Sequence, residues 1–256
     1  MKPTSKLQQS GAKGVVSDQS LGAIAKYRAV YTGPSSWLYF IKFELLTSLL
    51  IGFPGALGLW LRKTLYPSLF RHCGKNVVFG RNVILRHPQR ISIGDNSVIG
   101  DDVTLDAKGE QGEGIRIGDG VFIGKGTLFS MLEGTIEIDD GTSIGTYCRI
   151  GAMTHTRIGK KVLLAAYVYI VGADHESTRT DIPIIDQPNY SKGGVTIGDG
   201  SWLGTKVTVM DGVNIAEHSI IGAHAVVAED ISAYSIALGI PAKIVKNRKD
   251  KTENDD

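Results

Sequence analysis

His175 is the side chain best suited to proton chemistry, and its neighbours say what kind. It stands in Gly172-Ala173-Asp174-His175-Glu176, followed by Asp181-Ile182-Pro183-Ile184. An imidazole titrates near neutrality, which suits a general base acting on a hydroxyl or an amine. Such a base works best when a carboxylate fixes its tautomer, and Glu176, Asp181 and Asp186 are the candidates within the same stretch. Tyr147, Tyr167 and Tyr169 each offer a ring face and a hydroxyl that suit a sugar, and each can equally be a surface corner residue. Cys73 and Cys148 lie far apart and form neither a metal-ligand nor a disulfide pattern. Only His175 among the histidines falls in this stretch, so the converging set that a zinc site needs is not expected.

The spacing of apolar residues says what must position that stretch. From residue 91 one phrase returns: ISIGDN, IRIGDG, IEIDDG, TRIGKK, VTIGDG. Apolar residues recur every sixth place in runs of three. These are Ile93–Ile99–Leu105, Ile117–Ile123–Phe129, Ile138–Ile144–Ile150, Ile158–Leu164–Ile170, Ile197–Leu203–Val209 and Ile215–Ile221–Val227, with Val77–Val83 as a weaker forerunner. A period of six fits neither a helix nor a long alternating strand. It fits short strands joined by tight corners, one inward side chain per strand, with Gly or Asn at the corners where φ turns positive. Three hexads close a triangular turn of about 18 residues, and stacked turns make a solenoid. The first members of successive runs are 24, 21, 20, 39 and 18 residues apart. The gap of 39 therefore holds about 21 residues beyond one regular turn, which must leave the coil as a loop over 172–194. Insertions in repeat proteins gather on one face, often the binding face, and His175 lies where this one departs.

Over residues 72–248, including the closing Ala237-Leu238-Gly239-Ile240-Pro241-Ala242-Lys243, the sequence resembles the hexapeptide-repeat acyltransferases. Within them it is most similar to the maltose, galactoside and xenobiotic acetyltransferases and to sugar O-acetyltransferases of bacterial polysaccharide clusters. The resemblance implies an all-β solenoid, a left-handed parallel β-helix, with an N-terminal helical appendage and a short C-terminal helix. It also implies a homotrimer with acetyl-CoA bound in clefts between subunits, no metal, and direct acetyl transfer to a sugar or glycan hydroxyl with His175 as base. Asp186 takes precedence among the carboxylates by its offset in similar enzymes. Motif by motif, Trp202, Gly204, Thr205 and Ala223 fall on the donor cleft, and Lys243 and Lys246 on basic positions that meet CoA phosphates. Where the family often has Thr-Lys, this chain has Ala228-Glu229. Tyr147, Tyr167 and Asp174 are the acceptor-side candidates; an asparagine of the sugar acetyltransferases aligns near Gly145 and is absent here. The alternatives are N-acetylation of an amino sugar, acetylation of a xenobiotic, and a solenoid kept as a non-catalytic scaffold.

The remaining segments are set by composition. Lys and Arg number 28 against 26 Asp and Glu, a balance that demands no nucleic-acid partner. Residues 1–20 are polar, lack the apolar core of a secretory signal, and are expected to be disordered; 249–256 form a charged tail. Cysteine usage fits a cytoplasmic location. Residues 21–71 form an apolar appendage whose uncharged run Leu45–Leu61 falls short of the roughly 20 residues needed to cross a bilayer. Gly52, Pro54, Gly55 and Gly58 interrupt it, Arg62 and Lys63 follow it, and Trp37, Tyr39, Trp60 and Tyr66 flank it. This pattern predicts a helical hairpin over 37–66. It either lies peripherally in the interface at the inner face of the cytoplasmic membrane, or packs on the solenoid or across the trimer interface.

Overall fold

The computed structural model describes residues 20–109 and 111–250. The expectations for residues 1–20 and for the tail therefore fall almost wholly outside the described residues.

From His72 the chain winds through seven turns of three short parallel strands. The first wall stacks His72–Cys73 through Asn214–Ile215, the second Val78–Phe79 through Ile220–Ile221, and the third Ile84–Arg86 through Val226–Val227. The sixfold spacing is a ladder in space: Ile93, Ile117, Ile138, Ile158, Ile197 and Ile215 pair directly from turn to turn. None of them is more than 4% exposed. Burying an isoleucine contributes roughly 1.5–3 kcal/mol, so this file and the equally buried files on the other two walls hold the coil together. The parallel stack is consistent with the left-handed β-helix.

Two sequence expectations need correction. The first turn is carried by Cys73, Phe79 and Leu85, which pair with Ile93, Ile99 and Leu105. Val77 and Val83 are also buried, but in a second inward position four residues after each strand residue, where Ser97, Val103, Thr127, Cys148 and Val168 fill the corners of later turns. The expected short C-terminal helix is a strand instead. Lys243–Asn247 folds back antiparallel to Ser235–Leu238 because the second wall still offers an unpaired edge there.

The appendage closes the open N-terminal end of the coil with α1 (Ala23–Tyr31), α2 (Trp37–Leu50) and α3 (Gly55–Leu65). Ser36 caps α2 through its hydroxyl to the Tyr39 amide, and Pro54 stands just before α3. Phe43, Leu50, Tyr66, Leu69 and Phe70 join the core of the first turn, with Phe70 stacked on Phe79 at 5.4 Å. Arg62, 2% exposed, donates to the carbonyls of Phe79, Leu50 and Phe53, which ties the turn between α2 and α3 to the coil.

Candidate functional site

Each turn has three corners, and the three long edges they form are built differently. At the first edge, between the first and second walls, an aspartate repeatedly caps the turn beneath it. Asp95 accepts from the amide of Lys75, Asp119 from Asp95, Asp140 from Asp119 and Asp199 from Lys160, at 2.7 to 3.0 Å. The amide of Asp119 and the ammonium of Lys160 hold the Asp140 carboxyl below the usual carboxylate range. A glycine at the corner of the turn below makes room for each carboxylate: a Cβ on Gly94 would lie 2.3 Å from the Asp119 carboxylate.

The second edge starts the same way and then changes. Asp101 accepts from the Arg81 amide at 2.7 Å, and Asp102 is held by Asn82 and Lys125. Beyond that point the capping place is filled by Lys125, Thr146, Ala166, Thr205 and Ala223. No described residue accepts from the amides of Thr146, Ala166, Thr205 and Ala223. Four backbone N–H groups along one edge thus form a row of donors with no acceptor among the described residues. The left-handed corner positions beside them are Tyr147 (φ 55) and Tyr167 (φ 63), whose rings stack at 5.5 Å and are about half exposed. The ring of Tyr147 lies against the Cα of Gly126, where a Cβ would stand 2.4 Å from it. These tyrosines are outer corner residues, and they share their edge with the donor-side candidates Thr205 and Ala223.

Trp202 is exposed on the second wall, in register with Ile220, Ile236 and Lys246. Gly204 turns the corner so closely that a Cβ would lie 2.6 Å from the Ala223 amide nitrogen. The Thr205 hydroxyl donates to the Ala166 carbonyl at 2.8 Å. Of the two expected phosphate contacts, Lys243 is paired with Glu229 at 3.2 Å, while Lys246 has no ionic partner among the described residues.

The third edge, between the third and first walls, takes every insertion. The largest is the loop over 172–194, and its root is fixed on both sides. On the way out, Gly172 packs on Gly151 so tightly that a Cβ would come within 2.2 Å of the Gly151 carbonyl carbon. Asp174–His175 then pairs antiparallel with Asn189–Tyr190. Asp174 uses both carboxylate oxygens inside this hairpin, toward the His175 amide at 2.9 Å, the Tyr190 hydroxyl at 3.4 Å and the Lys192 ammonium at 3.8 Å. On the way back, Asp211, 5% exposed, accepts from the Ser191 hydroxyl and from the amides of Lys192 and Gly194. Within the loop, the buried side chain of Gln187 binds both backbone groups of Arg179 and the carbonyl of Ile182. The His175 side chain is exposed and has no protein partner among the described residues. Arg179 binds Asp181 and holds its carboxyl below the usual range. Asp186 is exposed and makes no side-chain contact of this kind, to His175 or to another residue.

Between the loop root and the third wall lies a small hollow lined by Arg149, Gly151, Tyr169, Gly172 and Ala173. The Arg149 guanidinium sits over the Tyr169 ring at 5.4 Å. Within one chain, then, the structure gathers Tyr147, Tyr167, Thr205 and Ala223 on the second edge and sets His175 on the third. No group of His, Cys, Asp and Glu among the described residues is arranged to hold a metal ion. The sequence reading missed Asp211, Gln187 and the open amides. The signal for the amides was present: the corner phrases read separately for the second edge are Gly100-Asp101-Asp102, then Gly145-Thr146-Tyr147, Ala165-Ala166-Tyr167, Gly204-Thr205-Lys206 and Gly222-Ala223-His224, in which the aspartate disappears.

Two family profiles match the chain: bacterial transferase hexapeptide (six repeats) at residues 194–229, and hexapeptide repeat of succinyl-transferase at 73–107. A Mycobacterium tuberculosis protein named as an acetyltransferase, Rv3034c, is 38% identical over 135 residues, 53% of this chain and 45% of its own length. The chain thus spans less than half of that relative. An Escherichia coli protein named for lipopolysaccharide biosynthesis O-acetyl transfer, WbbJ, is 28% identical over 66% of this chain and 78% of its own. Two solved structures share the fold at 22% identity. The polysialic acid O-acetyltransferase OatWY has a TM-score of 0.53 over 72% of this chain and 90% of its own. The Bacillus cereus N-acyltransferase AntD, in complex with dTDP and coenzyme A, has a TM-score of 0.51 over 77% and 92%. The ladder of inward hexads, the profiles that match two stretches of it and these relatives agree: the chain carries hexapeptide repeats similar to those of the bacterial hexapeptide transferases.

Proposed function

We propose that the protein is an acetyl-CoA-dependent acetyltransferase that passes the acetyl group directly to a hydroxyl of a sugar or glycan, with His175 as general base. The observation that carries this reading is the contrast between edges: aspartates cap four corner amides of the first, while the second caps only that of Arg81 and then offers a row of unpaired amides. Those amides suit the carbonyls of a pantetheine arm, and one of them suits the oxyanion that develops on the thioester carbonyl. Trp202 and Gly204 border the same strip, and Lys246 lies at its end to meet phosphate. Lys243 joins it by exchanging Glu229 for the ligand.

In the transfer step a ring nitrogen of His175 takes the proton of the acceptor hydroxyl as its oxygen bonds to the thioester carbon. The carbon–sulfur bond then breaks, and the proton passes to the departing sulfur. The products are the acetyl ester and free CoA, with no acyl-enzyme. Asp181 is already engaged by Arg179, which leaves Glu176 and Asp186; Asp186, preferred by its offset in similar enzymes, would orient the imidazole by a contact that the single chain does not make. Asp174 holds the root of the loop, and Tyr147 with Tyr167 presents a stacked face to the acceptor.

His175 and the open amides border the third wall on opposite sides, roughly 15 Å of strand apart. A homotrimer that lays one copy's loop across its neighbour's second edge brings them onto one thioester, and a closed ring is the natural outcome of such a heterologous contact. Acetyl-CoA as donor places the reaction in the cytoplasm. The name of the WbbJ relative favours a hydroxyl acceptor.

The test is thiol release from acetyl-CoA with a panel of free sugars, glycan fragments, amino sugars and antibiotics, with the product identified by mass. An alkali-labile acetyl ester is expected. An alkali-stable amide would move the reading to N-acetylation. Absence of both CoA binding and turnover would make the coil a scaffold.

A further inference from the structure

The helical cap presents an apolar face that the coil does not use. α2 buries Phe40, Phe43 and Leu50 on its inner side. Its outer side carries Leu38 at 82% exposure, Ile41 at 51%, Leu45 at 57% and Leu49 at 67%, spaced along one stripe. Phe53 continues the stripe through the turn, and Leu57 and Trp60 expose more than half of their surface on α3. A helix that is apolar on all sides belongs in a protein core or against lipid, and exposed patches of this size mark an interaction surface. No helix of the described residues is long and apolar enough to cross a membrane, so the geometry available is one lying flat.

Charge decides what the face meets. Residues 21–71 hold six basic residues, Lys26, Arg28, Lys42, Arg62, Lys63 and Arg71, against one acidic residue, Glu44. From residue 72 onward nineteen basic residues face twenty-four acidic ones. The near-neutral total hides a chain whose apolar end is positive and whose coil is negative. Two copies meeting through this end would bring like charges together, whereas an anionic surface attracts the cap and repels the coil. Trp37 and Trp60, both exposed, stand at the far ends of α2 and in α3 as aromatic side chains do at the headgroup level.

We propose that the outer face of α2 and α3 docks on a bilayer containing anionic lipid, with the cap seated in the interface and the coil held off the surface. Arg62 fixes the turn between the two helices to the first turn of the coil, so docking the cap also sets where the coil stands. A peripheral enzyme held in this way suits an acceptor glycan carried on a lipid, although the docking itself is independent of the acyl-transfer reading.

The test is co-sedimentation of the full chain with vesicles of phosphatidylcholine and phosphatidylglycerol, and with phosphatidylcholine alone. The intact protein is expected to bind the mixed vesicles at least about tenfold more tightly than the neutral ones, and to be released by high salt. Replacing Leu38→Ser, Leu45→Ser and Leu49→Ser together removes exposed apolar surface and no core contact. It is expected to lower the partition by about tenfold or more with the melting temperature unchanged. Lys63→Glu is expected to weaken binding to the anionic vesicles alone. An intact protein that ignores the mixed vesicles overturns the proposal, and so does a triple-serine variant that binds them as well as wild type. If the triple variant instead loses its oligomeric state while the wild type ignores lipid, the face joins copies of the chain, and the docking proposal fails.

Discussion

The first and second edges of the coil are made from the same repeat and do opposite things. On the first, the aspartates two residues after Ile93, Ile117, Ile138 and Ile197 each receive an amide from the turn below, so four of its corners are capped. On the second, the same place passes to threonine and alanine, and the amides are left without an acceptor. These corners are exposed or half-buried, so water can serve the amides, and an edge that forgoes capping over consecutive turns leaves a strip of donors open to a ligand. The tyrosines that replace asparagine and glycine at the left-handed positions of that edge point the same way. An αL tyrosine costs about 1 kcal/mol or more relative to glycine, which ring stacking only partly offsets.

The contrast can be broken by exchanging the edges. Ala223→Asp installs the capping carboxylate over the Thr205 amide, as Asp119 does over Asp95. We expect CoA affinity to fall by about 100-fold, the equivalent of about 2.7 kcal/mol, with folding stability unchanged or raised. Titration calorimetry with CoA beside a thermal melt measures both. The reverse exchange, Asp119→Ala, uncaps the first edge. It should cost about 1–2 kcal/mol of stability in denaturant unfolding and leave CoA affinity alone. Tyr167→Ala removes one ring of the stack, at about 0.5–1.5 kcal/mol of stability, and should raise the acceptor KM more than it lowers kcat.

The smallest effect concerns the third edge at its N-terminal end. There the ring of His87, half-buried against α1, binds the Ala29 carbonyl at 2.9 Å, and desolvation holds its pKa below the ordinary 6.5. The unfolded chain takes up this proton first, so the stability of the folded form declines as pH falls through 6.5. Asp106 attracts the charged ring, while Arg90 and Lys108 oppose it. His87→Asn, which tolerates the left-handed backbone at this corner, should flatten that part of the pH–stability curve.

Much of the fold could be derived from side-chain type alone. The inward file from Ile93 to Ile215 and the long excursion of 172–194 follow from counting, because burial in a stacked coil recurs at a fixed interval whatever the corners do. Features that depend on pairing were harder to see. Lys243–Asn247 is a strand because Ser235–Leu238 exposes an edge to it, and no local pattern in the segment announces this. Asp174, an acceptor-side candidate by sequence, uses its oxygens within the hairpin, and Asp211 clamps the returning limb from one turn away; neither pairing is visible in local sequence. The open amides are legible only edge by edge, because each edge of the coil carries its own six-residue phrase.

The most direct test of the account is the turnover of His175→Ala with CoA affinity measured on the same preparation. His175 is exposed, lies outside the core and belongs to the third edge, so its loss should leave folding and the second-edge donor strip intact. The account predicts a fall in kcat of about 100-fold to 10000-fold, the range typical for removing a general base, with the dissociation constant for CoA unchanged. Turnover equal to that of the wild type would contradict it.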